Sequence, residues 1–150
     1  MTLKENIEGE IKKAMLAREK DRLRALRAIK SQILLSESEK GATTQLTPEK
    51  ELNLLMKAAK QRKEAAEIYE QQDRQDLLEI ELSELKTIEE FLPKQLSDDD
   101  LKEKVAAIIE KTGASTPKDM GKVIGMASKE LSGGADGKRI STMVKTLLAG

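Results

Sequence analysis

Apolar residues recur at intervals of three and four along nearly the whole chain, and no run of alternating β-branched residues interrupts them. Leu3, Ile7, Ile11 and Met15 form one stripe of a first helix, with Thr2 and Glu5 spaced as a capping box at its start. The segment Arg18-Glu19-Lys20-Asp21 breaks the phase and predicts a short turn. Asp21 is then expected to cap a second helix carrying Leu23, Leu26, Ile29, Ile33 and Leu34. Ser36 to Leu46 reads as loop. Thr47-Pro48-Glu49 gives a capping hydroxyl, a first-turn proline and an acid, starting a third helix that runs to about Gln71. Its apolar face is Leu52, Leu55, Met56, Ala59, Ala66 and Tyr69. A fourth helix starts at Asp73 or Arg74, carries Leu78, Leu82, Leu85, Ile88 and Leu92, and is expected to stop at Pro93.

Ser97 is placed to cap a fifth helix, with Asp98, Asp99 and Asp100 set against its N-terminal dipole and Leu101, Val105, Ile108 and Ile109 as its buried stripe. Thr112-Gly113 ends it and Thr116-Pro117 starts a sixth. Gly133-Gly134-Ala135-Asp136 separates that helix from a seventh, Gly137 to Leu148, capped by Asp136. Gly121 and Gly125 lie four apart and read as positions where another backbone packs closely within the tail. The fold class is all-α. Residues 1–92 read as a long helical hairpin or bundle, Leu92 to Leu96 as a linker, and residues 97–150 as a small three-helix tail subdomain.

Composition narrows the chemistry. Tyr69 and Phe91 are the only aromatics, so any core is built from Leu, Ile, Met, Val and Ala. With no cysteine and no histidine there is no disulfide, thiolate site or imidazole base. No GxSxG is present, and Ser31, Ser36 and Ser38 lack the Gly/Ser-rich surroundings of a serine amidase. Gly133 to Lys138 has neither the spacing nor the preceding strand of a phosphate-binding loop. The triplet Asp98–Asp100 lacks the glycine and closing glutamate of a calcium loop, and capping accounts for it. No catalytic residue, metal site or cofactor is expected. The N-terminus has no signal-peptide core and no apolar run approaches the ~20 residues of a span. The expectation is a soluble, cytoplasmic protein with no membrane partner.

The net charge of zero conceals an asymmetry: +4 over residues 1–30, −8 over 31–100, +1 over 101–112 and +3 over 113–150. The N-terminal cations (Lys12, Lys13, Arg18, Lys20, Arg22, Arg24, Arg27, Lys30) and the acids of the fourth helix (Glu79, Glu81, Glu84, Glu89, Glu90) read as solvated faces. Lys57, Lys60, Arg62 and Lys63 form a basic cluster inside the acidic middle. In the tail, Lys118, Lys122, Lys129, Lys138, Arg139 and Lys145 face only Asp119, Glu130 and Asp136. Lys118, Lys122 and Lys129 are spaced for one helical face, Lys138 and Lys145 repeat the seven-residue offset, and two glycine-rich turns nearby offer backbone N–H groups. By charge alone these are either solubility charges or a surface for a polyanion. Lysines of this kind act through counterion release, and the shortage of stacking aromatics points to folded RNA, with no DNA partner.

The stretches REKDRLRALRAIKSQI, KAAKQRKEAAEIY, EEFLPKQLSDDDL and GASTPKDMGKVIGMASKELSGGADGKRISTMVKTLL together resemble the small bacterial YqeY proteins of the GatB/YqeY family. The last is similar to the C-terminal tail domain of the B subunit of the amidotransferase that corrects mischarged Glu-tRNA or Asp-tRNA. The resemblance implies an all-helical fold and, for the tail, contact with tRNA through Lys118, Lys122, Lys129, Lys138, Arg139 and Lys145. It also implies a label of carbon–nitrogen ligase with glutamine as amido donor. The catalytic cradle and glutaminase subunit that such chemistry needs have no counterpart in this chain. The expectation is a tRNA-associated accessory protein without a catalytic site of its own, in which Gly121 and Gly125 are packing positions and not a phosphate cradle. The alternative is a protein–protein adaptor docking a partner on the N-terminal helices.

Overall fold

The computed structural model describes residues 1–39 and 45–149, in which seven α-helices and no strand occur. Among these residues no helix is long and apolar enough to cross a membrane. The helices are α1 Leu3–Ala17, α2 Lys20–Glu37, α3 Pro48–Gln71, α4 Gln75–Glu89, α5 Asp98–Thr112, α6 Met120–Glu130 and α7 Gly137–Ala149. They gather into two compact units, Met1–Leu92 and Pro93–Gly150.

Local signals set most helix ends. Thr2 Oγ1 accepts from the Glu5 N–H at 3.2 Å and the Glu5 carboxylate accepts from the Thr2 N–H at 2.9 Å, closing the capping box. Thr47 and Ser97 cap α3 and α5 in the same sense, each accepting a backbone N–H three residues on at 3.2 Å. Asp21 does not cap α2. Arg18 takes up a left-handed conformation (φ 58°), so the chain turns in two residues and re-enters a helix at Lys20, leaving Asp21 in the first turn. The second helix also runs on to Glu37, into the stretch read as loop; residues 40–44 of that loop lie outside the described residues. At α4 the helix stops at Glu89, before Pro93 is reached, and Leu82 is exposed.

In the first unit α1 packs on α2 and α3 on α4, with further packing of α2 on α4 and on α3. Ion pairs Lys4–Glu37 (3.2 Å), Lys30–Glu8 (3.5 Å) and Arg22–Glu10 (3.0 Å) step in opposite directions along α1 and α2, so the two helices run antiparallel. Leu3, Ile7, Leu26, Ile29, Ile33, Leu55, Ala59 and Ile88 make the core. Ala14 takes the buried place expected of Met15, which is half exposed, because the phase of an α-helix drifts past a strict four-residue step.

The acids of α4 are not all solvated. Arg62 of α3 lies 3.0 Å from both Glu81 and Glu84, Arg24 of α2 reaches Glu84 at 3.4 Å, and Arg22 of α2 meets Glu90 just beyond the end of α4. The Glu81 and Glu84 side chains are only 13% and 14% exposed, so their charges are matched across the helix seams instead of by water. The cations Lys13, Arg22, Arg24 and Lys30, read as a solvated face, likewise have acid partners on their own or a neighbouring helix.

The second unit is a three-helix arrangement in which α5, α6 and α7 pack pairwise over Leu101, Val105, Ile108, Val123, Ala127, Ile140 and Val144. Its chain begins before Ser97. Leu96 N–H donates to the Gly134 carbonyl at 2.8 Å and Gln95 Nε2 to the Gly133 carbonyl at 2.7 Å, so the expected linker is partly built into the tail.

Candidate nucleic-acid interface

The tail cations ride on α6 and α7 because each helix is apolar on one side only. On α6, Val123 and Ala127 are buried, and the opposite face carries Gly121, Lys122, Gly125, Ser128 and Lys129, all exposed. On α7, Ile140 and Val144 are buried, while Lys138, Thr142 and Lys145 are exposed. Within each helix the two lysines stand seven residues apart and so share one outward face.

Lys118 does not share that helical register. Pro117–Asp119 forms a single 3-10 turn ahead of α6, with Asp119 holding the turn: its Oδ2 accepts from Ser115 N–H at 3.1 Å and Thr116 N–H at 3.3 Å. Those two hydrogen bonds depress the Asp119 carboxyl below its ordinary value, with a further small push from the Lys122 charge.

Four acids of the tail have partners. Asp119 ties the 3-10 turn, Asp136 Oδ1 accepts the Arg139 N–H at 2.8 Å, Glu130 sits 4.0 Å from Lys111, and Asp98 faces Arg139 at 3.0 Å. Among the described residues Lys118, Lys122, Lys129, Lys138 and Lys145 make no ion pair with them. Arg139 stands apart: its guanidinium donates to the Leu96 carbonyl and to Asp98, and its side chain is 31% exposed.

One expectation about the glycines is overturned. A Cβ placed at Gly121 or Gly125 would meet nothing within 4 Å, so neither is a close-packing position; both leave bare backbone on the outer face of α6. Two amides of the glycine-rich turns are already taken. Gly113, at φ 71°, donates its N–H to Glu110 in the C-cap of α5, and Gly134 donates to the Leu131 carbonyl. Gly133 and Gly134 are buried under the 95–96 strap. Lys102 and Lys104 on α5, whose charge neighbouring acids largely balance along the sequence, are exposed as well. The offset between charge in sequence and charge left unpaired in space is the signal that sequence alone does not carry.

The family model of the YqeY-like proteins matches residues 4–148, which spans both units and every tail cation. The chain belongs to the YqeY-like family. A curated relative, the altered inheritance of mitochondria protein 41, mitochondrial, of Clavispora lusitaniae, is 31% identical over 150 residues, covering 95% of this chain and 85% of that protein. The span that the family model matches includes α6 and α7.

Proposed function

We propose that this YqeY-like protein is an RNA-binding accessory factor whose tail unit holds a folded RNA, tRNA in the first instance, without carrying out chemistry on it. The observation behind this reading is the set of five exposed tail lysines, Lys118, Lys122, Lys129, Lys138 and Lys145, which make no ion pair among the described residues, while Asp119 and Asp136 are used in the turns before α6 and α7 and Asp98 is clamped by Arg139. Unpaired lysines on two helices attract phosphates through counterion release and read shape more than sequence. Resemblance of the tail to that of the tRNA amidotransferase B subunit supplies the ligand. It does not supply an active site, so amido transfer from glutamine is not part of the proposed role. The compartment proposed is the cytoplasm; the mitochondrial designation belongs to the relative.

A gel-shift titration of the full chain with total tRNA at low and moderate salt tests the reading. Binding at low salt that weakens steeply with salt, and is lost in a Lys122→Glu, Lys129→Glu, Lys138→Glu triple variant, is expected. No shift at low salt would sink the proposal, as would an unchanged shift in the triple variant. Arg139 is left out of the variant because it is part of the fold.

A second reading, a docking surface for another protein, rests on one observation. Among the described residues Met15, Leu16, Leu34, Leu35, Ile68, Ile80 and Leu82 are the large apolar side chains left exposed beyond Met1, and all lie in the first unit. Recovery of a stoichiometric protein partner that survives nuclease treatment and is lost in Leu16→Lys, Leu35→Lys would favour it.

A further inference from the structure

Between α2 and α3 of the first unit lies an open groove of about 670 Å³, well within the ~300–1,000 Å³ of small-molecule sites. One wall is a continuous stripe of α3, Lys50, Asn53, Lys57 and Gln61, at steps of three and four residues. Gln32 and Leu35 of α2 face it, and Leu46 and Leu54 add apolar lining. Lys50 and Lys57 are exposed and make no ion pair among the described residues, whereas Lys4, Arg22, Arg24, Lys30 and Arg62 of the same unit all do. Glu37 also lines the groove, but it is 7% exposed and matched by Lys4 Nζ at 3.2 Å. Among the described residues Glu39 is the other lining charge that opposes an anion.

We propose that this groove is a binding site for a nucleoside phosphate, taken either as a free nucleotide or as the end of an RNA strand. Each part of such a ligand has a counterpart on the walls. Lys50 and Lys57, two helical turns apart, carry positive charge for the phosphate. The carboxamides of Gln32, Asn53 and Gln61 offer a donor and an acceptor each, the combination that pairs with base edges and ribose hydroxyls. Leu35 and Leu54 give the base an apolar surface where stacking aromatics are lacking. A simple anion would leave the carboxamides unused, and an apolar ligand would leave the lysines so. The site does not rest on the tail reading, since every residue in it belongs to the first unit.

Isothermal titration of the full chain with adenosine, guanosine and uridine 5′-monophosphates tests the site. A 5′-phosphorylated trinucleotide is the strand-end probe, and adenosine and inorganic phosphate are the controls. Saturable binding of at least one nucleotide is expected, with adenosine and inorganic phosphate each about tenfold weaker or more. Tighter binding of the trinucleotide assigns the site to a strand end, and equal or weaker binding assigns it to free nucleotides. Asn53→Ala and Lys57→Glu, both at exposed positions, are expected to weaken binding about fivefold or more each. Lys86→Glu, exposed on α4 outside the groove, is expected to leave binding unchanged, and so is the Lys122→Glu, Lys138→Glu tail variant. The proposal is overturned by absence of saturable binding up to about 1 mM, by inorganic phosphate binding as well as the nucleotides, or by full affinity in Lys57→Glu. Loss of binding in the tail variant alone would move the nucleotide to the other unit and overturn it equally.

Discussion

Arg139 and Leu96 are joined by a 2.7 Å hydrogen bond from the guanidinium Nη2 to the backbone carbonyl, and the same nitrogen lies 3.0 Å from Asp98 Oδ1. One side chain on α7 thereby fixes both the strap that leads into α5 and the first residue of α5. The strap is further held by the Gly133 and Gly134 carbonyls, and Leu96 packs against the Gly134 backbone.

Arg139→Ala is therefore expected to destabilise the tail by about 1–2 kcal/mol, a charge-assisted hydrogen bond discounted for partial exposure. Chemical denaturation followed by circular dichroism measures it. A loss of RNA binding in this variant alone says nothing about contact with RNA, because the fold changes with it. Unchanged stability would show that the clamp contributes nothing.

Gly121→Ala and Gly125→Ala are expected to raise stability by roughly 0.5–1 kcal/mol each, because both sit in a helix and the added methyl meets open space. Thermal unfolding of the two variants reads the sign directly. Destabilisation would restore the packing role that their four-residue spacing suggests.

Those glycines mark where sequence stops informing. Caps are local, so Thr2, Thr47 and Ser97 were legible from hydroxyl, proline and acid positions alone, and all three cap as expected. Asp21 was not, because the turn before α2 depends on Arg18 adopting a left-handed conformation that no neighbouring residue announces. Spacing told that Gly121 and Gly125 share a face, yet could not tell whether that face looks inward. The same holds for charge: Arg62 and Glu84 are 22 residues apart, and only the folded α3–α4 seam makes them partners. The tail lysines were legible as a cluster, but which cations remain unpaired is a property of space.

Ile7→Ala is expected to cost about 2–5 kcal/mol, while Met15→Ala stays within about 0.5 kcal/mol. Both residues belong to one apolar stripe in the sequence, but Ile7 has no exposed surface and Met15 is 54% exposed. Urea midpoints for the two variants separate them. Equal losses would mean that Met15 is covered in solution by something the fold of a single chain does not provide.

The Asp119 carboxyl is held below its ordinary value by the N–H groups of Ser115 and Thr116. A depressed folded-state pKa stabilises the fold at every pH above the unfolded value, and that contribution fades as pH falls from about 4 through the folded value. Asp119→Asn removes this dependence, so the gap between wild type and variant is expected to be steady above about pH 4 and to shrink as pH is taken from there into the acid range. A constant gap between the two curves across that range would assign the role of Asp119 to shape and not to charge.

The last expectation concerns salt. If the unpaired tail lysines meet phosphates, each contact removed lowers the slope of log affinity against log salt by about 0.7–0.9. Lys122→Ala, Lys129→Ala and Lys138→Ala sit on two different helices, so their effects report whether α6 and α7 engage the same RNA. Equal reductions from residues on both helices place the two helices on one RNA at once. A slope that falls for the α6 lysines and not for Lys138 would confine the interface to α6, where the bare backbone at Gly121 and Gly125 lets a phosphate chain approach most closely. The measured slope of the parent chain bounds the count: it cannot exceed what the exposed cations supply, and a value near zero would leave these lysines as solubility charges alone.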